Sequence, residues 1–250
     1  MIDECRTALP ALVDGASRLG LELSDDQRQQ FVRYCAVLRE WNAHTNLTAV
    51  RTPEGIMRSL FLDSLSLVPT INSIYRDPSH LAAIDIGAGA GLPSLPLKIL
   101  FPGWLLLLVD SVGKKTRFLS AAVDALQVSS VTVHTGRAEE MAREREFRDV
   151  FDLAVARAVS ALPALLELCG PCVRVGGYLI LPKAGSVDAE IDSARAAERR
   201  LGLRLVRVDA VDPELGLGEG RKLVVYAKER PTPPGYPRRV GLAQSRPIGS

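Results

Sequence analysis

Histidine, cysteine and long apolar runs are scarce in this chain of 250 residues, and each scarcity narrows what it does. The three histidines, His44, His80 and His134, form no catalytic constellation. Four cysteines, Cys5, Cys35, Cys169 and Cys172, are too few and too scattered for a disulfide framework. Cys169 and Cys172 make a C-x-x-C, but no second Cys or His pair lies nearby, and apolar neighbours mark them as buried small hydrophobes. The longest apolar run, Trp104 to Val109, falls far short of the roughly 20 residues that span a bilayer. The start, Met1-Ile2-Asp3-Glu4, lacks the basic and apolar segments of a secretion signal, so a cytoplasmic, non-membrane protein is expected. An excess of one charge is missing as well. The 31 Lys+Arg against 29 Asp+Glu leave a net charge of +2, which excludes a uniformly basic nucleic-acid binder.

What is present is the mixture of an ordinary globule, 47% apolar and 24% charged, in a chain long enough for one sizeable core. Residues 1–75 show no convincing strand and read as a helical N-terminal cap. Helical spacing covers Leu9 to Leu19 and Asp25 to Trp41, the latter with Phe31, Tyr34, Cys35, Leu38 and Trp41 on one stripe. Ser24 is its expected N-cap, with Asp25 and Asp26 in the first turn. A further helix is expected from Pro53 to Leu67. From residue 76 to 230, strands alternate with helices. Strands are expected at Leu81–Ile86, Leu105–Val109, Val131–His134, Phe151–Ala156 and Tyr178–Leu181. Helices are expected at Ser94–Leu100, Lys114–Leu126, Ala138–Glu144 and Leu162–Val173. Such alternation gives an open α/β sheet of parallel strands. Leu203–Ala210 and Arg221–Lys228 are separated by too short a segment for a helical crossover, so they add an antiparallel pair. Residues 231–250 hold five of the 16 prolines, and from Arg221 onward seven bases face one acid, Glu229. This segment reads as an extended basic tail.

The strongest motif is Asp85-Ile86-Gly87-Ala88-Gly89-Ala90-Gly91, between a strand and a helix. Gly87 lets the chain turn, and Gly89 and Gly91 let backbone approach a ligand; a plain strand-end turn is the alternative. A dinucleotide fingerprint requires its third glycine at position 92, which is Leu92, and Pro93 and Pro96 interrupt the following helix. The loop therefore suits a nucleoside without a bridging phosphate. Asp110, ending the next strand, either accepts ribose hydroxyls or caps a helix. In Gly136-Arg137-Ala138-Glu139, the Ala138 backbone and the Glu139 side chain lie where they read an adenine edge, or Glu139 is a first-turn helix acid. S-adenosylmethionine fits these features. Arg157, at a strand end, pairs with the methionine carboxylate, with Glu139, with RNA, or in a structural ion pair. Lys183, at a similar strand end, meets a phosphate or is simply solvated.

Residues Asp85 to Leu97 (DIGAGAGLPSLPL) resemble the signature of the bacterial small-subunit rRNA guanine-N7 methyltransferase G family, also called glucose-inhibited division protein B. The similarity continues through Asp110–Leu119, Gly136–Glu140 and Phe151–Ala158, with Trp41-Asn42 and Asn46-Leu47-Thr48 upstream and Tyr236-Pro237-Arg238-Arg239 downstream. The resemblance implies a class I S-adenosylmethionine-dependent methyltransferase: a Rossmann-like, mostly parallel seven-stranded sheet with one antiparallel strand behind a helical cap. It implies methyl transfer to N7 of one guanine in 16S rRNA, free or in the 30S subunit, by a protein expected to be a monomer. The family's cofactor contacts fall on Gly87, Leu92, Ala138, Glu139 and Arg157, which join Gly89 and Asp110 from the loop reading. RNA contacts are expected at Lys183, Arg238 and Arg239. Leu60 stands where the family often has histidine, so a catalytic histidine is not expected there. N7 carries a lone pair and no proton, so no general base is required. The readings of other classes are a nicotinamide-dependent oxidoreductase and a non-catalytic RNA-binding protein with a cofactor fold.

Overall fold

A computed structural model describes residues 1–157 and 159–249; Ala158, the last residue of one matched motif, and Ser250 lie outside the described residues. Seven strands form one sheet in the order β3-β2-β1-β4-β5-β7-β6. These are β1 (Ala82–Ile86), β2 (Leu105–Asp110), β3 (Val131–Thr135), β4 (Phe151–Val155), β5 (Val173–Ala184), β6 (Leu203–Ala210) and β7 (Arg221–Lys228). All pairings among β1 to β5 are parallel, and β7 runs antiparallel to both β5 and β6. The mostly parallel seven-stranded α/β fold expected from the sequence is therefore the one observed.

Alternation along the central strands assigns the two cores. Ala83, Leu106, Leu108, Leu153 and Val155 face one side; Ile84, Ile86, Leu107, Val109 and Ala154 face the other. Strands covered on both faces need these near-continuous apolar runs. The first face is covered by α1 (Ile2–Arg18), α2 (Asp25–Thr45), the segment 53–74, α6 (Ser94–Leu100) and α7 (Gly113–Leu126). Residues 1–75 thus share one core with the sheet. In α2, Ser24 Oγ accepts from the Gln27 amide and Gln27 Oε1 accepts from the Ser24 amide, a reciprocal capping box. Phe31, Tyr34, Cys35 and Leu38 are buried beneath it.

The predicted helix over 53–67 is built in pieces. α3 (Pro53–Gly55) leads into a π-helical stretch, Ile56–Leu62, then α4 (Asp63–Leu65), and α5 (Val68–Ile74) extends the segment further. π-Helical turns concentrate at functional sites, and this one delivers Asp63, buried at the sheet.

The second face is covered by α8 (Ala138–Met141), α9 (Leu162–Cys169) and α10 (Asp188–Leu201). Helix α10 is an addition to the sequence reading. Its buried stripe is Ile191, Ala194, Ala197 and Leu201, too alanine-rich to stand out as apolar periodicity, and Gly202 at φ 74° ends it. Cys169 and Cys172 are fully buried here.

The final segment departs from the extended tail that its prolines and charge suggest. Ala243, in α11 (Leu242–Ser245), and Ile248 are buried in the second core. The proline-rich backbone has few donors, but its carbonyls are capped from the body. Arg148 donates to the carbonyls of Thr232 and Tyr236, both at 2.7 Å, and Arg143 donates to that of Pro237. No helix among the described residues is long and apolar enough to cross a membrane.

Candidate active site

At the carboxyl end of β1 the chain turns sharply, and the amides of Gly87 and Ala88 both donate to the Val109 carbonyl at 2.8 and 2.9 Å. Gly91 has φ +75°, and a Cβ there would lie 2.5 Å from Leu95 Cδ1 and 2.8 Å from the Tyr34 hydroxyl. That glycine answers a packing demand rather than the ligand approach expected from the sequence. Tyr34, itself fully buried, donates its hydroxyl to the Ala90 carbonyl and fastens the loop to α2. Gly89 is different. At φ +58°, its Cβ would meet only the Gly87 carbonyl at 3.7 Å, so it borders open space.

That space is a pocket of about 570 Å³, within the range of small-molecule sites. The glycine loop forms one wall, and the end of β2 with Asp110 and Lys115 forms another. Gly136 to Glu139, the end of β4 with Arg157, and Leu47-Thr48 supply further parts. All seven residues expected at the cofactor, Gly87, Gly89, Leu92, Asp110, Ala138, Glu139 and Arg157, line this one pocket. Sequence reasoning did not assign Leu47, Thr48 or Lys115 to it. The Asn42 side chain holds Thr48 through hydrogen bonds to its carbonyl (2.9 Å) and amide (3.0 Å), after α2 ends on Asn46 at φ 53°. Leu47 and Thr48 of the upstream motif therefore form part of the pocket wall, with Asn42 bracing them.

Asp110 is 5% exposed and holds the loop from below. Its Oδ2 accepts from Gly89 N at 3.0 Å, its Oδ1 from Val112 N at 2.9 Å, and Lys115 Nζ lies 3.8 Å from Oδ2. A carboxylate has about four acceptor sites, so capacity remains for hydroxyls. Glu139, 6% exposed, accepts from Gly241 N at 2.9 Å rather than pairing with Arg157. Arg157 instead donates to Asp63 Oδ2 at 2.8 Å, and Arg221 Nε lies 3.5 Å from Asp63 Oδ1. The reading of Arg157 as a structural ion pair is the one observed, made with a partner 94 residues away.

Two residues expected to meet RNA face protein. Lys183 Nζ lies 2.8 Å from Glu190 and donates to the Ser160 carbonyl at 2.9 Å, with its side chain largely buried. Arg238 grips Glu167, which is fully buried, through Nε at 2.9 Å and Nη2 at 2.7 Å, and its backbone amide adds a third bond at 2.8 Å. A buried carboxylate demands such a partner. Arg239, next in the chain, is exposed.

The donor set fits S-adenosylmethionine and not a dinucleotide. The amides of Gly87, Ala88, Gly89, Gly91 and Leu92 are all spent on protein acceptors, and residue 93 is proline. No pyrophosphate platform of the kind a helix N-terminus provides is left at these positions. Ribose hydroxyls facing Asp110 need no such amides.

Beneath the loop lies Asp85, fully buried, with neither oxygen in a well-formed hydrogen bond among the described residues. Burial pushes its carboxyl up to about 7, against the opposing influence of Ser94 and Arg157. Between about pH 4 and pH 7 the folded protein holds a proton that the unfolded chain has released, so this group's contribution to stability falls as pH rises. Asp85→Asn removes that dependence. Urea unfolding at pH 4 and pH 8 is expected to show the wild type losing on the order of 4 kcal/mol relative to the variant. Parallel profiles would count against the buried-acid assignment.

Comparison with known proteins agrees with this geometry. Residues 27–216 match the family model described as rRNA small subunit methyltransferase G. The chain is 45% identical over 238 residues to a ribosomal RNA small subunit methyltransferase G of Roseiflexus sp. (strain RS-1), covering 95% of this chain and 98% of that one. It is 38% identical over 238 residues to the protein of the same name from Acetivibrio thermocellus, with 95% of each chain covered. Among solved structures, the antibiotic-resistance methyltransferase Kmr superposes with a TM-score of 0.51 at 19% identity, over 62% of this chain and 90% of that one, a likeness of fold.

Proposed function

The chain belongs to the small-subunit rRNA methyltransferase G family, and from that premise we propose how its pocket serves methyl transfer from S-adenosylmethionine to N7 of a guanine in 16S rRNA. The observation that carries the reading is the pocket itself: a glycine loop whose amides at Gly87, Ala88, Gly89, Gly91 and Leu92 are already spent, facing a buried Asp110 with acceptor capacity to spare. When bound, S-adenosylmethionine supplies a methyl group on a positively charged sulfur. Asp110 accepts the ribose hydroxyls while it holds Gly89. Ala138 and Glu139 face the purine end, and Gly87 and Leu92 shape the wall at the turn. Arg157, clamped by Asp63, closes the pocket at the end of β4. Guanine N7 needs no base to free its lone pair, so the protein's contribution is alignment, which reaches roughly 7–11 kcal/mol in the best intramolecular cases. Arg239, with the exposed Lys114 and Arg137, offers phosphate contacts beside the pocket. The substrate class is rRNA of the small subunit, and the protein acts in the cytoplasm as a monomer.

Calorimetry separates this from the nicotinamide alternative: S-adenosylmethionine is expected to bind and NAD to give no heat of binding. The reverse order would sink the cofactor assignment. The loop glycines make a sharper test. Gly89→Ala incurs left-handed strain of ~1–2 kcal/mol and places a methyl group where the cofactor approaches, so its main loss is S-adenosylmethionine affinity. Gly91→Ala drives Cβ into Leu95 and Tyr34, so its main loss is stability. Denaturant melts paired with calorimetry check the split; equal effects of the two substitutions would contradict it.

A further inference from the structure

The folded-back tail reaches the pocket at one place. Its anchors are the Arg143 and Arg148 bonds to tail carbonyls, the Arg238–Glu167 pair, and the buried Ala243 and Ile248. These fix residues 240–244 against the side of the pocket where Gly241 N meets Glu139. Val240, Gly241 and Gln244 all line the pocket, although the region matched by the family model ends at residue 216. Val240 is 43% exposed, an apolar side chain at the pocket wall. Gln244 is exposed and its side chain makes no hydrogen bond among the described residues, so its side-chain amide is uncommitted.

We propose that the tail is the closing wall of the cofactor's purine end, and that Gln244 is a specificity-determining residue that reads the adenine. The proposal rests on the reading of this pocket as the S-adenosylmethionine site. A glutamine amide offers both an acceptor and donors, the complement of an adenine edge that pairs an amino group with a ring nitrogen. Val240 supplies an apolar surface suited to the flat face of the base. Gly241 holds Glu139 in place from the same segment, so the wall and the loop after β3 bind the purine as one unit.

The test uses the whole 250-residue chain and two probes, S-adenosylhomocysteine and S-inosylhomocysteine, in which the adenine amino group is replaced by oxygen. The wild type is expected to prefer the adenosyl compound. Gln244→Ala, which leaves every tail anchor in place, is expected to weaken S-adenosylhomocysteine binding and shrink that preference, each by ~5-fold, the worth of about one net hydrogen bond. Hydrogen exchange in the wild type is expected to show amides of residues 240–246 slowing when S-adenosylhomocysteine is added. Unchanged affinity and preference in Gln244→Ala, or exchange in the tail indifferent to the ligand, would overturn the proposal. A wild type that binds neither compound would overturn the cofactor reading itself, and the proposal with it.

Discussion

Asp110→Ala is expected to weaken S-adenosylmethionine binding by at least ~100-fold while the protein remains folded. The carboxylate does two things at once. It accepts from Gly89 N and Val112 N, at 3.0 and 2.9 Å, which sets the glycine loop and the start of α7 relative to each other. It also presents its remaining acceptor sites to the ribose. Hydrogen bonds to charged groups contribute ~1.5–3 kcal/mol each, so loss of two ribose contacts corresponds to about 10²–10⁴ in affinity. Asp110→Asn keeps one carbonyl acceptor but turns an amino group toward a backbone donor, and its loss should be intermediate. Calorimetry on variants with native circular dichroism decides the matter. An alanine variant binding within ~3-fold of wild type would remove Asp110 from the site.

The second large effect is on stability. Arg238→Ala is expected to destabilise the protein by roughly 3–5 kcal/mol, because it strips the counter-charge from a buried carboxylate. Glu167 is fully buried and, among the described residues, keeps the backbone amide of residue 238 alone in that variant. Adding Glu167→Gln should recover most of the loss, since an amide tolerates burial better than an unpaired charge. Arg239→Ala, one position along, should lie within about 0.5 kcal/mol of wild type and instead weaken RNA binding with a shallower salt dependence. Urea unfolding of the four proteins tests the series. Equal stability of Arg238→Ala and Arg239→Ala would show that the Glu167 contact does not hold the tail.

That contrast shows where sequence stops being sufficient. The glycine loop, Asp110 and the antiparallel β7 are legible because their signals are local: turn residues at a strand end, an acid one strand later, and a connection too short for a helix. Gly87, Gly89 and Asp110 follow from such signals, whereas Leu92 joined the expected set only through the family resemblance; all seven expected cofactor residues line one pocket. The directions taken by Lys183, Arg157 and Arg238 are set by Glu190, Asp63 and Glu167, and two of these partners lie 71 or 94 residues away. Nothing in a strand-end arginine or a run of tail bases announces such an acid. The tail misleads in a second way. Its prolines suggest an extended chain because they lack donors, yet their segment is held through its acceptors by Arg143 and Arg148. Helix α10 is hidden differently, behind a buried stripe of which two of the four residues, Ala194 and Ala197, are alanine.

The net charge of +2 therefore conceals an uneven distribution, and part of the tail segment's positive charge, at Lys228 and Arg238, lies against protein acids. The central claim, that this pocket supports methylation of guanine N7 in small-subunit rRNA, is tested most directly by mass mapping of 16S rRNA. The rRNA, free and in 30S subunits lacking the modification, is incubated with the protein and S-adenosylmethionine. One guanine is expected to gain a single methyl group, with the strand scission after borohydride and aniline that marks N7-methylguanosine. A methyl group on another atom, or none on either substrate from protein that binds S-adenosylmethionine, would contradict it.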